Sequence, residues 1–333
     1  MIIIQASNIN VGGGAILLNQ LLSSIDKLKI DARVYVDERF KCSVQYTRRI
    51  ELILVKPKII SRLKVEWLIR GDTYKFKNAM VLFFGNLPPI FKLNCRCFLF
   101  FQNVIMLSKY KHFKFSLKTQ LKQQIERLWL HHKISNVHTI FVQSESVKGL
   151  FLKDFPESKV LVMPFSDLIE NKSKLCMQAQ YDFIYVASGD PHKNHINLLK
   201  AWLLLHEAGI LPKLLLVVNR LDTKCAELVK KINTNDNQVD IKYLQTREQI
   251  SKLYIESKAL IYPSLAESFG LPLLEAKFLG LPILASELDY VRDVVEPTET
   301  FDPESPVSIS RAVQRFLKIS QSSKVKMLST PEF

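Results

Sequence analysis

The chain is poor in cysteine, and its cysteines are odd in number. Cys42, Cys95, Cys97, Cys176 and Cys225 are the only five in 333 residues. Cys95-Arg96-Cys97 is too tight for a zinc knuckle, and no second pair supports one. Reduced thiols in a cytosolic protein are therefore expected. No run approaches 18 apolar residues, which leaves no candidate for a membrane-spanning helix. The opening MIIIQASNINVGGG lacks a basic stretch and has only three consecutive apolar residues, so no signal peptide is predicted. No repeat of solenoid period is present. What is there is a chain 47% hydrophobic and 23% charged, the balance of a folded globular protein long enough for two domains.

Charge is unevenly placed. Residues 1–165 hold 26 Lys+Arg against 11 Asp+Glu, and residues 166–333 hold 20 against 21. The positive excess sits wholly in the first half, which is thereby expected to face something anionic.

The order of elements indicates the fold class. MIIIQAS reads as a strand, NVGGG as a glycine loop, AILLNQLLSSIDKL as a helix and ARVYVDE as a second strand. This is the opening of a doubly wound parallel sheet. Strands AMVLFFG, CFLFFQN and HTIFVQS follow, then the helix SESVKGLFLKDF and a closing strand KVLVMPF. A second series starts at YDFIYVAS and alternates through NHINLLKAWLLLHEAG, PKLLLVVN, a helix near 223–233, IKYLQ, TREQISKLYIES, ALIYP, LPLLEAKFLG and PILAS. We expect an α/β protein of two Rossmann-like domains facing each other across a cleft. The boundaries are 1–165, a polar linker at 166–180, and 181–333.

One stretch, YPSLAESFGLPLLEA at 262–276, carries chemistry that a plain core does not need. A strand ends near Pro263, Pro272 fits the first helical position and Gly280 a helix stop. Loop and helix start thus lie at the carboxyl end of a strand, where open α/β sheets bind ligands. Backbone N–H groups around Phe269 to Leu271 and the helix dipole suit a diphosphate, and Gly270 allows close approach. Glu267 and Glu275 look misplaced beside an anion until they are given sugar hydroxyls, two of which an ionised carboxylate accepts at once.

The segment PSLAESFGLPLLEAKFLGLPILAS resembles the signature of retaining glycosyltransferases of the GT-B fold, in the large family numbered four. FIYVASGDPHKNHINLLKAW is similar to that family's strand, phosphate loop and helix. FVQSESVKGLFLKDFPESKVLVMPF, TFDPES and VGGGAILLNQLL resemble further segments in the same order. The resemblance implies that Glu275 holds the ribose hydroxyls of a nucleotide donor. It also implies that Glu267, with the backbone of Ser268, Phe269 and Gly270, holds the donor sugar, and Leu271 is a further donor-binding candidate. Lys193 falls on the lysine that pairs with the donor diphosphate, so Glu267 and Lys193 are the catalytic candidates. A lysine there acts as a point charge on the leaving phosphate.

Two positions depart from the family's pattern. Ser188 stands where the family usually carries an arginine, so diphosphate stabilisation is expected from elsewhere, with the backbone of Gly12, Gly13 and Gly14 as candidates. Asn103 stands where many members place a histidine near the acceptor. There is no Asp-x-Asp, so neither a metal nor another cofactor is expected. The resemblance implies retention at the anomeric carbon, with the leaving phosphate oxygen deprotonating the attacking hydroxyl. Positioning and charge stabilisation are then the protein's task. Competing readings are a GT-B-shaped nucleotide-sugar epimerase, a non-catalytic binding protein, and a dehydrogenase. The last is weakened because Leu17 stands at the third glycine of G-x-G-x-x-G.

Segment 116–134, SLKTQLKQQIERLWLHHKI, puts Leu117, Leu121, Ile125, Leu128, Trp129 and His132 on one helical face, with Lys118, Lys122, Arg127 and Lys133 largely off it. A second basic stretch, 48–77, holds nine Lys/Arg against three acids. Trp129 and the four cations are the candidates for contact with an anionic membrane surface. The expected partners are a nucleotide-diphosphate sugar, a lipid-linked or oligosaccharide acceptor and the inner face of the cell membrane, where the protein is expected to be peripheral. No nucleic-acid motif accompanies the charge.

Overall fold

The computed structural model describes residues 1–42, 49–76, 78–113, 115–166, 179–234 and 237–319. Two parallel sheets organise them. The first contains β1 (Ile2–Ala6), β2 (Ala32–Asp37), β3 (Ile50–Val55), β4 (Met80–Phe83), β5 (Arg96–Phe100), β6 (Thr139–Val142) and β7 (Val160–Val162), in the order β3-β2-β1-β4-β5-β6-β7. The second contains β8 (Tyr181–Val186), β9 (Leu214–Val218), β10 (Val239–Tyr243), β11 (Ser257–Tyr262), β12 (Ile283–Ser286) and β13 (Glu299–Phe301), in the order β10-β9-β8-β11-β12-β13. Each order runs outward from its first strand and then reverses to the other side. This is the doubly wound pattern, and it puts a switch point between β1 and β4 and another between β8 and β11. The central strands are apolar on both faces: β9, LLLVV, is buried throughout, as a parallel sheet covered by helices requires.

Helices α1 (Gly12–Lys27), α2 (Ile59–Lys75), α3 (Leu117–Lys133) and α4 (Glu145–Asp154) accompany the first sheet. Helices α5 (His195–Glu207), α6 (Thr223–Ile232), α7 (Arg247–Ile255), α8 (Leu271–Phe278), α9 (Asp289–Arg292) and α10 (Pro306–Phe316) follow β8. Several starts are fixed by side-chain caps: Ser144 for α4, Asp222 for α6, Ser305 for α10, and a Thr246–Gln249 capping box for α7. The chain divides into two compact units, Met1–Glu170 with Ala266–Glu275, and Asn171–Leu265 with Ala276–Phe333. The short piece of the first unit is the glutamate loop. Residues 167–178 of the expected linker, and Cys176 with them, lie outside the described residues.

Two stretches carry elements where the sequence pattern showed none. β3 and α2 lie in 48–77, legible only as a basic stretch, and β13 and α10 follow PILAS. In α2 the reason is physical. Its buried positions, Val65, Glu66, Ile69 and Asp72, are half acidic, while Ile60, Leu63, Trp67 and Leu68 face solvent, so the usual apolar-inside rhythm is broken. Among the described residues no helix is long and apolar enough to cross a membrane.

Candidate functional site

In the second unit the loop after β8 is tied to the sheet by side chains far apart in sequence. Residues Pro191–Lys193 form one 3-10 turn. Tyr185, fully buried on β8, donates from Oη to the Lys193 carbonyl at 2.6 Å and meets Ser264 Oγ at 3.0 Å. The Leu265 N–H donates to the His192 carbonyl at 2.8 Å, joining this loop to the chain leaving β11. Both loops thus lie at the switch point, at the carboxyl ends of β8 and β11. Asn194 follows with φ 61° and donates from Nδ2 to the carbonyls of Pro263 and Pro303 at 3.0 and 2.7 Å. The FDPE turn is thereby fastened under the lysine. Asn tolerates this left-handed conformation better than most residues.

Ser188 has charged company. Its Oγ donates to Asp190 Oδ2 at 2.7 Å, and Arg220 Nη2 donates to Asp190 Oδ1 at 2.9 Å. Burial alone would raise the Asp190 carboxyl, but the Ser188 bond, His192 and Arg220 outweigh it and hold it below the ordinary range. Gly189 allows the approach, since a Cβ there would lie 2.2 Å from the Arg220 carbonyl oxygen. Buried His195 bonds the Ser188 carbonyl through Nε2 at 2.9 Å. Desolvation pushes its pKa down. Arg220, Asp190, Asn194 and Tyr185 were not singled out from sequence. The available signal was position: Asn219-Arg220 directly follows the buried strand β9, at the end where ligands bind.

In the first unit the glutamate loop packs beside the glycine loop. Ala266 is fully buried, Phe269 is buried, and Glu267, Ser268 and Glu275 are half-buried. Leu271 packs against the core under β1 and α1, and a Cβ on Gly13 would meet Leu271 Cδ1 at 3.3 Å. Gly270 has φ 78°, and its carbonyl accepts from the Leu273 N–H at 2.9 Å. The helix accordingly starts at Leu271, with Pro272 as its second residue rather than its first, and Glu275 as its fifth. Gly12, Gly13 and Gly14 form the first residues of α1, after Val11, whose side chain makes no cap bond. Asn103 Oδ1 accepts from the Ile105 N–H at 3.2 Å and so caps the 3-10 turn Val104–Met106.

The membrane-contact candidates separate. Lys118 and Lys122 are exposed. Trp129 is turned inward: its Nε1–H donates to the Pro88 carbonyl at 3.0 Å and Arg62 stacks over its ring at 4.6 Å. Arg127 donates to the Ile105 carbonyl at 2.6 Å, and Lys133 is half-buried. Neither Arg127 nor Trp129 is placed as a membrane-facing residue should be, because each has a local polar partner that outbids solvent.

Comparison with known proteins agrees with this geometry. Residues 168–328 match the model of the family described as Glycosyl transferases group 1. The serotype-specific mannosyltransferase WbdA of Escherichia coli is 29% identical over 163 residues, which cover 47% of this chain and 20% of that protein. The O-antigen chain mannosyltransferase B of Escherichia coli is 23% identical over 181 residues, 50% of this chain and 48% of that one. The chain thus spans from a fifth to about half the length of these two curated relatives. Among solved structures, sucrose-phosphate synthase from Thermosynechococcus elongatus superimposes with a TM-score of 0.71 at 16% identity, over 95% of this chain and 89% of that one. The fold is GT-B, of two Rossmann-like units, and residues 168–328 are similar to the group 1 glycosyl transferases.

Proposed function

We propose that this protein is a retaining, metal-independent glycosyltransferase that moves a sugar from a nucleotide-sugar to a lipid-linked glycan, at the inner face of the cell membrane. The relatives named as mannosyltransferases favour mannose as the sugar and an O-antigen type of polysaccharide as the product. The observation that carries the reading is the fastening of Lys193: its backbone is held by Tyr185 and followed by Asn194, bonded to two carbonyls. A cation on a loop fixed at a switch point is preorganised for a leaving diphosphate and needs little rearrangement during reaction. Arg220, held beside Ser188 by Asp190, supplies the second positive charge that position 188 lacks. Glu275 takes the ribose hydroxyls. Glu267, with the backbone from Ser268 to Leu271, takes the sugar. With the donor so held, the leaving phosphate oxygen accepts the proton of the attacking hydroxyl on the same face, and no side-chain nucleophile is required. On this reading the cationic side chains do the work that a metal would.

The test is thermal unfolding of the purified chain with UDP-, GDP-, ADP- and dTDP-sugars in metal-free buffer. One series should stabilise wild type, by about 2.7 kcal/mol at a hundredfold excess over the dissociation constant. The Glu275→Ala variant should not respond. If none of the four series stabilises folded wild type, the donor-site reading fails.

A further inference from the structure

Two helices of the first unit bury a few apolar residues, Val65 and Ile69 on one and Leu130 on the other, and turn a longer apolar stripe outward. On α2, positions 60, 63, 64, 67 and 68 form one face, with Ile60, Leu63, Trp67 and Leu68 exposed, Trp67 at 71%. With Lys64 they line a shallow apolar depression. The opposite side of α2 buries Glu66 and Asp72 beside Val65 and Ile69. On α3, Leu117, Leu121, Ile125 and Leu128 are exposed, Leu117 at 84%. Thr119, Gln120, Gln123, Glu126, Arg127, Trp129 and Lys133 are half-buried, and Leu130 is buried. The two helices meet through polar groups: Arg62 stacks on Trp129 and is attracted by Glu126. Leu63, Leu68, Leu117, Leu121 and Leu128 are therefore left outward by the packing itself, while Leu130 is buried.

The charge at this face has one sign. Among the described residues, the exposed Lys, Arg, Asp and Glu side chains of α2 and α3 are Lys64, Arg70, Lys75, Lys118 and Lys122, all cationic. The acids of both helices are turned in. Eight exposed large apolar side chains ringed by lysine and arginine have the pattern of an interfacial surface, with apolar groups for the acyl boundary and cations for anionic headgroups. Lys122 has Glu126 at 3.7 Å on its own helix, but among the described residues the other four cations have no acid beside them on the exposed faces, and an anionic bilayer answers them and the leucines together. We propose that the outward faces of α2 and α3 together form a docking surface for an anionic lipid bilayer, with Trp67 and Leu121 among the inserted residues. The surface goes beyond the donor-site reading and uses none of its residues.

The experiment is co-sedimentation of the full chain with vesicles of phosphatidylcholine alone and of phosphatidylcholine with phosphatidylglycerol, alongside tryptophan emission. Wild type should bind the anionic vesicles, with a blue shift of emission, and bind the neutral ones at least about tenfold more weakly. The Trp67→Ser/Leu121→Ser double variant should lose binding about tenfold or more while unfolding at the wild-type temperature, because both side chains are exposed. Leu211→Ser, an exposed leucine in the second unit, should bind as wild type. Trp67→Phe should sediment with vesicles but show no blue shift. Lys193→Ala should bind vesicles normally, so a failed donor site and a failed membrane surface give different results. Equal binding to both vesicle types, or undiminished binding of the double variant, overturns the proposal. So does a wild-type dimer that never binds vesicles and becomes monomeric in the double variant, an outcome that assigns the face to a second copy.

Discussion

The Tyr185 hydroxyl donates to the main-chain carbonyl of Lys193 at 2.6 Å while sharing a hydrogen bond with Ser264 at 3.0 Å. One buried phenol thus links the strand under the loop, the residue proposed to face the diphosphate and the chain leaving β11. Replacing Tyr185 by Phe removes both of these bonds, at a cost of about 1–3 kcal/mol. Urea denaturation should show that loss, and titration should show weaker donor binding even though the altered atom does not touch donor. Unchanged affinity in a destabilised Tyr185→Phe protein would mean that the loop is held adequately without it.

Asn194 separates backbone from side chain. Asn194→Ala loses the bonds to Pro263 and Pro303 and also strains the left-handed φ, for a total of about 3 kcal/mol. Asn194→Gly loses the bonds but tolerates the conformation, so it should be the milder change in thermal unfolding. The reverse order would show that φ is not what selects asparagine here.

Arg220 is 68% exposed in its side chain, so its ion pair with Asp190 adds little to stability. On the donor-site reading Arg220→Ala should leave the unfolding temperature nearly unchanged and weaken nucleoside diphosphate binding about tenfold. Restoring charge in cis, as Arg220→Ala with Ser188→Arg, should recover most of the loss. Calorimetric titration of both variants checks this.

How legible these features were depends on how local their cause is. Lys193 and the two glutamates were singled out because their segments resemble a known family, with their place after buried apolar strands in support. Arg220 also follows a buried strand, but no resembling segment carries it, and its partner Asp190 is a neighbour across the strand ends and not along the chain. The stripe of α3 was visible as amphipathic, but which way it faces is a tertiary fact: Trp129 is drawn inward by Pro88 and Arg62, and the leucines are left outside. Helix α2 was missed for the same reason. Its polar residues have partners inside, such as the Ile90 N–H that donates to Glu66 Oε2 at 2.8 Å, and a single sequence does not display them.

Glu66 also sets a pH dependence. Burial raises its carboxyl to about 7, opposed by the Ile90 N–H, Arg62 and the Phe91 N–H. The native state therefore holds this proton more tightly than the unfolded chain. Its contribution to stability is full below the ordinary carboxylate range and is lost as pH rises to about 7, by about 3 kcal/mol at most. Glu66→Gln should flatten that part of the profile. Denaturant midpoints measured across this window in both proteins decide it.

The central claim is transfer from a nucleotide-sugar assisted by Lys193. The most direct measurement is release of nucleoside diphosphate from the four donor series, with isolated bacterial membranes as acceptor, by wild type, Lys193→Ala and Glu275→Ala. The account predicts turnover from one series by wild type, and a fall of about a hundredfold or more in folded Lys193→Ala, as loss of a preorganised charge at a leaving group produces. Release at the wild-type rate by folded Lys193→Ala, or by wild type from none of the series, would contradict it.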